Sequence, residues 1–212
     1  MSHDTLIHRI VRPCVRLIAP TGVTPNQLTT LRLLTGLGAA AFFAAGPGLG
    51  FNVAGVLFLV SMLFDRADGE LARQTGQMSL AGYYYDIWSD CAANVAIFFG
   101  IGLGLSGTGT NLGALNIWLG GIAGSAIALL FWELYVAKLV SVQGYAFLNG
   151  RIIIDPDDAL VLVPILVWLG LAQPMLIVAA IVAPTVALWF AFKALRNKQS
   201  LAKRVSSNAG GP

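Results

Sequence analysis

The chain has 212 residues, of which 57% are hydrophobic and only 11% charged, with a mean hydropathy of +0.75. Soluble domains carry about 25% charged residues, so this composition excludes a disordered chain, a coiled coil and an ordinary water-soluble enzyme. A net charge of +3 is too small to argue for nucleic acid, and Cys14 and Cys91 lack any spacing that suggests a disulfide framework or a zinc site.

The first element is the stretch 4–19. Leu6, Ile7, Ile10, Cys14, Leu17 and Ile18 recur at helical spacing, with Arg9, Arg12 and Arg16 on another face. A basic amphipathic helix of this kind is predicted to lie along the membrane surface and attract anionic headgroups. The alternative is a disordered basic leader. Pro13 is expected to kink the helix or split it in two. The first twenty residues lack the uninterrupted apolar core of a cleavable signal peptide.

Six apolar runs follow, at 31–46, 51–73, 79–105, 114–138, 158–172 and 174–193. The first and fifth are short for a hydrocarbon core about 30 Å thick, so their ends should shift. The Gly46-Pro47-Gly48 and Gln173-Pro174 stretches read as tight turns. All 13 Lys and Arg residues fall at alternate ends of these runs, and the stretches 45–52, 105–113 and 171–174 carry no charge. The positive-inside rule then places both termini in the cytoplasm. The expected fold is an all-α integral membrane protein with six transmembrane helices preceded by an N-terminal surface helix. It reads as one domain over 1–212, with the interfacial helix at 4–19, the bundle at 31–193 and a basic tail at 194–212. The expected location is a bacterial inner membrane.

The ten acidic residues are the informative ones. Four aspartates fall between positions 65 and 90, in Asp65-Arg66-Ala67-Asp68-Gly69-Glu70-Leu71-Ala72-Arg73 and in Gly82-Tyr83-Tyr84-Tyr85-Asp86-Ile87-Trp88-Ser89-Asp90. Asp65 and Asp68 share a helix face with Ala72, and Asp86 and Asp90 share one with Gly82. The short connection at 76–79 makes the two helices antiparallel, so the four carboxylates are expected to converge at the cytoplasmic end of the membrane. Such a cluster is costly unless compensated. Divalent cations bound by hard oxygen ligands relieve the cost, and four carboxylates on two helices suit two Mg²⁺ or Mn²⁺ ions clamping a phosphoryl displacement. The competing reading is a purely structural network of acids paired with Arg66 and Arg73. Gly69, Ala72 and Gly82 are either helix-packing residues or places where a nucleotide approaches the backbone. Arg73 is placed to grip a phosphate.

The spacing D-x2-D-G-x2-A-R-x8-G-x3-D-x3-D resembles the signature of the CDP-alcohol phosphotransferase family. Asp65, Asp68, Gly69, Ala72, Arg73, Gly82, Asp86 and Asp90 match at every fixed position. The stretch Thr24-Pro25-Asn26-Gln27-Leu28-Thr29, with Arg32 beyond it, is similar to the family's entry into its first membrane helix. The resemblance implies a transferase that moves an alcohol-phosphate group from a CDP-alcohol to an acceptor hydroxyl and releases CMP. It implies Asp65, Asp68 and Asp86 as metal ligands, with Asp90 completing the metal site and acting as general base. Gly69, Ala72 and Gly82 would border the cytidine pocket, Arg73 would contact the donor phosphates, and Asp68, Asn26 and Thr29 would line the nucleotide site. Family members commonly pair through membrane helices, which implies a homodimer.

A site beside the bilayer favours CDP-diacylglycerol as donor, with a soluble CDP-polyol as the alternative. The acceptor would be a small alcohol or a phosphorylated alcohol, with Arg32, Lys138 and Arg151 as candidates for holding it. Asp155-Pro156-Asp157-Asp158 reads as a helix start or as part of that acceptor site, and Glu133 as an ion-pair or proton-carrying residue. A small cation- or proton-coupled transporter is the reading from another class. It fits less well, because such sites lie near the bilayer midplane between repeats.

Overall fold

A computed structural model describes the backbone of residues 6–136, 145–147, 152–154 and 160–209, and the side chains of 10–136 and 160–196. Seven helices account for most of it: α1 (Leu6–Ile18), α2 (Pro25–Ala44), α3 (Leu49–Thr75), α4 (Leu80–Ser106), α5 (Leu115–Phe131), α6 (Leu162–Trp168) and α7 (Ala172–Ala209). The architecture carries one addition to the all-α expectation, a two-stranded antiparallel ribbon between α5 and α6. Tyr145–Phe147 (β1) pairs with Ile152–Ile154 (β2), Ala146 opposite Ile153. Aromatic and β-branched residues at these positions favour extended backbone.

Local signals explain the helix ends. Thr24 caps α2, its hydroxyl accepting from the backbone N–H of Gln27 while the Gln27 side chain accepts from Thr24, and Pro25 occupies the first helical position. The helix therefore starts six residues before the apolar run expected at 31. Gly76, in the left-handed conformation at φ 70°, stops α3, and the Ser79 hydroxyl caps α4 by accepting from Gly82. α5 continues through a π-helical turn at Trp132–Val136. Among the described residues of the fifth apolar run, α-helix covers the seven residues of α6 and Ala172 at the start of α7, and α7 runs on to Ala209 through what the sequence suggested was a tail. α1 passes Pro13 without splitting, contrary to one of the two outcomes expected there.

Among the described residues, four segments are long and apolar enough to cross a membrane: Leu49–Thr75, Leu80–Ser106, Leu115–Val136 and Ala172–Arg196. Large apolar side chains on their outer faces, among them Trp118, Leu188 and Phe192, are exposed. A water-soluble protein rarely tolerates so much exposed apolar surface, and the chain is an integral membrane protein. The helices close a ring in the order α3, α2, α4, α5, α7, α6 and back to α3. Phe43, Phe58, Ile97, Ile101 and Leu176 fill its interior.

Glycine sets the closest crossings. A Cβ on Gly100 or Gly104 would run into backbone carbonyls of α2, those of Ala40 and Phe43. One on Gly102 would strike the Asn116 carbonyl of α5. α4 can thus approach both neighbours because its glycines at alternate positions point to opposite faces. α3 and α4 pack far more closely against α2 than against each other. The sequence expectation that these two helices simply face one another therefore changes: α2 forms the wall between them, and a cleft opens at one end.

Candidate active site

The antiparallel order brings the N-terminal ends of α2 and α4 and the C-terminal ends of α3 and α5 to the same end of the bundle. A cavity of about 360 Å³ lies there. All eight motif residues line it: Asp65, Asp68, Gly69, Ala72 and Arg73 from α3, and Gly82, Asp86 and Asp90 from α4. Asn26 and Thr29 line it from α2.

Three of the four carboxylates converge. Asp65, Asp86 and Asp90 each offer an oxygen, and these oxygens lie within 4.8 Å of one another. Asp68 lines the same cavity but is turned toward α2, where the Thr29 hydroxyl donates to its Oδ2 at 2.7 Å. It is 3% exposed. Thr29 thereby fixes the rotamer of an acid that would otherwise be free to join the other three.

Two guanidiniums face the cluster, Arg32 from behind and Arg66 from the cavity lining. Arg32, 4% exposed, pairs through Nη2 with Asp90 Oδ1 and stands 3.8 Å through Nε from Asp65 Oδ1. Its Nη1 donates to the Ser89 carbonyl at 2.6 Å. Arg66 Nη1 lies 3.8 Å from Asp65 Oδ2. Arg32 does not line the main cavity; it borders a void of about 20 Å³ behind the aspartates, with Asn94 and Leu160. Arg73 makes its described ion pair not with an aspartate but with Glu70, Nη2 donating to Oε2 at 2.9 Å. Four carboxylates against these two guanidiniums make the cavity floor rich in acidic groups. Hard oxygen donors in that number fit a divalent cation, so the residues present suit the metal that the motif implies.

The glycines have distinct neighbours. A Cβ on Gly82 would come within 3.1 Å of Asn26 Oδ1 and 3.0 Å of Ser79 Oγ, so Gly82 lets α2 and α4 close over the cavity wall. A Cβ on Gly69 would meet Arg73 Nη1 at 3.4 Å. The bare surface at Gly69 is where the Arg73 guanidinium lies.

Other lining residues escaped the sequence reading. Phe131 and Tyr135 reach the cavity from the end of α5, and nothing in the local sequence marks them, because the motif lies wholly on α3 and α4. Tyr83 too lines the cavity, its hydroxyl 3.5 Å from the Tyr135 carbonyl, and its place beside Gly82 is the available signal. Glu133 is buried on the π-helical turn, with Oε2 lacking a hydrogen-bond partner among the described residues. Lys138, Arg151, Asp155, Asp157 and Asp158 lie outside the described residues.

The chain is similar to known proteins. An archaetidylinositol phosphate synthase of Pyrococcus horikoshii is 39% identical over 88 residues, 41% of this chain and 45% of that protein. A phosphatidylinositol phosphate synthase of Streptomyces avermitilis is 33% identical over 104 residues, 49% of this chain and 41% of that protein. The chain thus spans about half the length or less of the curated relatives it matches. The crystal structure of Mycobacterium tuberculosis phosphatidylinositol phosphate synthase with CDP-DAG bound shares the fold, with a TM-score of 0.61 at 18% identity over 89% of this chain and 91% of that one. The CDP-alcohol phosphatidyltransferase profile matches residues 22–151, which run from the residues preceding α2, through the whole aspartate motif, to beyond β1. With more than half of its length inside that profile, the chain belongs to the CDP-alcohol phosphatidyltransferase family.

Proposed function

We propose that the protein transfers a phosphatidyl group from CDP-diacylglycerol to the hydroxyl of a small acceptor, releasing CMP, as a step in phospholipid biosynthesis. One observation carries this reading: every motif residue lines a single cavity at one end of an apolar helix ring, with three carboxylate oxygens within 4.8 Å. Asp65, Asp86 and Asp90 would hold Mg²⁺ or Mn²⁺, with Asp68 beside them; two ions per site remains the expectation. The bound cation supplies positive charge to the diphosphate of the donor and to the developing leaving group.

The protein's own groups do the rest. Asn26, Gly69, Ala72 and Gly82 border the space for the cytidine, and Arg73 meets the donor phosphates. Asp90 takes the proton from the acceptor hydroxyl. The acceptor oxygen bonds to the phosphorus that carries the lipid alcohol, the P–O bond of the diphosphate breaks, and CMP leaves with the bridging oxygen. Arg32, held between Asp65 and Asp90, orients the base. This leaves Lys138 and Arg151 as the candidates for the acceptor.

The names of the two curated relatives make an inositol phosphate the first acceptor to try. The donor named in the M. tuberculosis structure supports CDP-diacylglycerol over a soluble CDP-polyol. Six crossings, a surface placement of α1, cytoplasmic termini and site, and a homodimer complete the proposal. Placement of the acids at a helix-end cavity argues against the transporter alternative. The deciding experiment is CMP release by the purified protein from a matrix of donors and acceptors, with product masses. Chelation of divalent ions should abolish release and Mg²⁺ or Mn²⁺ should restore it. A protein that binds no CDP-alcohol, or turns over equally in chelator, would refute the reading.

A further inference from the structure

Glu70 lies inside the motif segment but is not one of its fixed positions, and the proposed reaction gives it no role. It is nonetheless 6% exposed and fully engaged. Oε2 accepts from Arg73 Nη2 at 2.9 Å; Oε1 accepts from Gln74 Nε2 at 2.8 Å and from Arg12 Nε at 3.2 Å. Arg12 belongs to α1. That helix seats Val11 and Val15 against Leu28 of α2 and Ala67 and Leu71 of α3, while Ile10 and Leu17 point outward, 60% and 77% exposed. One carboxylate therefore joins the outer helix to the guanidinium that lines the cavity. The Arg73 guanidinium lies over Gly69, its Nη1 3.4 Å from where a Cβ would sit. An exposed arginine on a helix surface samples many rotamers, and ordering it in advance removes part of the entropic cost of gripping a phosphate.

We propose that Glu70 is the positioning residue for Arg73, and that through Arg12 it ties the seating of α1 to the orientation of that guanidinium. This rests on the reading above that Arg73 meets the donor phosphates. Glu70 touches neither donor nor acceptor; it acts through Arg73, and Arg12 acts through Glu70.

The test is a double-mutant cycle on CDP binding, by calorimetry of the full-length protein in detergent with Mg²⁺. Loss of one charge-assisted contact to Arg73 should raise the Kd of Glu70→Ala about tenfold. Arg12→Gln should shift it in the same direction by less. In an Arg73→Ala background, Glu70→Ala should add nothing, whereas a merely structural Glu70 would add its full effect there. In turnover, the Glu70 variant should raise the KM for the donor and leave kcat within about twofold of the parent. If Glu70→Ala does not fold, Glu70→Gln, which keeps the volume and one acceptor oxygen, carries the same cycle. Unchanged CDP affinity in a folded Glu70 variant, or additivity with Arg73→Ala, overturns this inference alone. Failure of the unaltered protein to bind CDP overturns the functional reading and this inference with it.

Discussion

Asp90 is held by a guanidinium on one side and by two neighbouring carboxylates on the other, and its use as a base depends on that balance. Asp90→Asn keeps the shape and the contact with Arg32 but cannot accept a proton from the acceptor. Turnover should fall by at least about a hundredfold while most CDP binding, supported by Asp65 and Asp86, is kept, measured by CMP release and calorimetry. Near-normal turnover would remove Asp90 from the role of base. Arg32 is a different case, because it is buried and pairs with two of the clustered acids. Arg32→Gln leaves that charge uncompensated, and breaking a buried pair costs about 3–5 kcal/mol. The melting temperature in detergent should drop, and Mg²⁺ should raise it more in the variant than in the parent, since the ion then supplies the missing charge. Equal shifts would contradict the counter-charge role. At this scale the aspartate motif was legible because charge is so scarce in an apolar chain. The partners of Arg32 and the Arg12 partner of Glu70 were not, since those contacts span tens of residues that no local spacing encodes, whereas Arg73 and Gln74 lie at i+3 and i+4 from Glu70.

Helix existence followed from apolar runs, while helix ends followed from capping residues that a hydropathy reading passes over. Thr24-Pro25 marked the start of α2 six residues before the apolar run expected there, and Gly76 and Ser79 mark the turn that returns α4 along the site. Which helices touch was not legible from hydropathy, because lipid-facing and partner-facing positions are equally apolar. The signal lies in the small residues, and adjacent glycines on α5 give a direct check. A Cβ on Gly120 would meet the Phe98 carbonyl at 2.5 Å and the Gly102 Cα at 3.3 Å, whereas one on Gly121 meets nothing within 4 Å. Gly120→Ala should destabilise the α4–α5 crossing by about 1–3 kcal/mol. Gly121→Ala should be neutral or stabilising by up to about 1 kcal/mol, from helix propensity alone. Thermal melting of the two variants in one detergent decides it, and identical shifts would mean that the crossing does not depend on glycine.

Charge and helix direction together define the polarity of the whole molecule. Chain reversal at each connection puts the aspartate cavity, α1 and the 76–79 turn at one end, and the uncharged 107–113 and 169–171 turns at the other. Among the described residues four segments meet the criteria for crossing on their own; α2 does not, because its first turns carry the polar residues Asn26, Gln27, Thr29, Thr30 and Arg32, of which Asn26 and Thr29 line the cavity and Arg32 pairs with its acids. On the proposed six-span topology the passage of α2 through the bilayer would depend on being packed between α3 and α4, a property of the assembled ring rather than of the segment. A consequence separates this arrangement from one in which α2 stays at the surface. Were α2 not to cross, the N-terminal arm and the 76–79 turn would lie on opposite sides of the membrane. In a background with Cys14 and Cys91 changed to Ser, Arg16→Cys and Thr75→Cys should both react with an impermeant maleimide from the same side of sealed vesicles. Thr108→Cys should react only from the other side. Labelling of Arg16→Cys and Thr75→Cys from opposite sides would show that α2 does not span, and would separate α1 and Arg12 from the Glu70 carboxylate they contact.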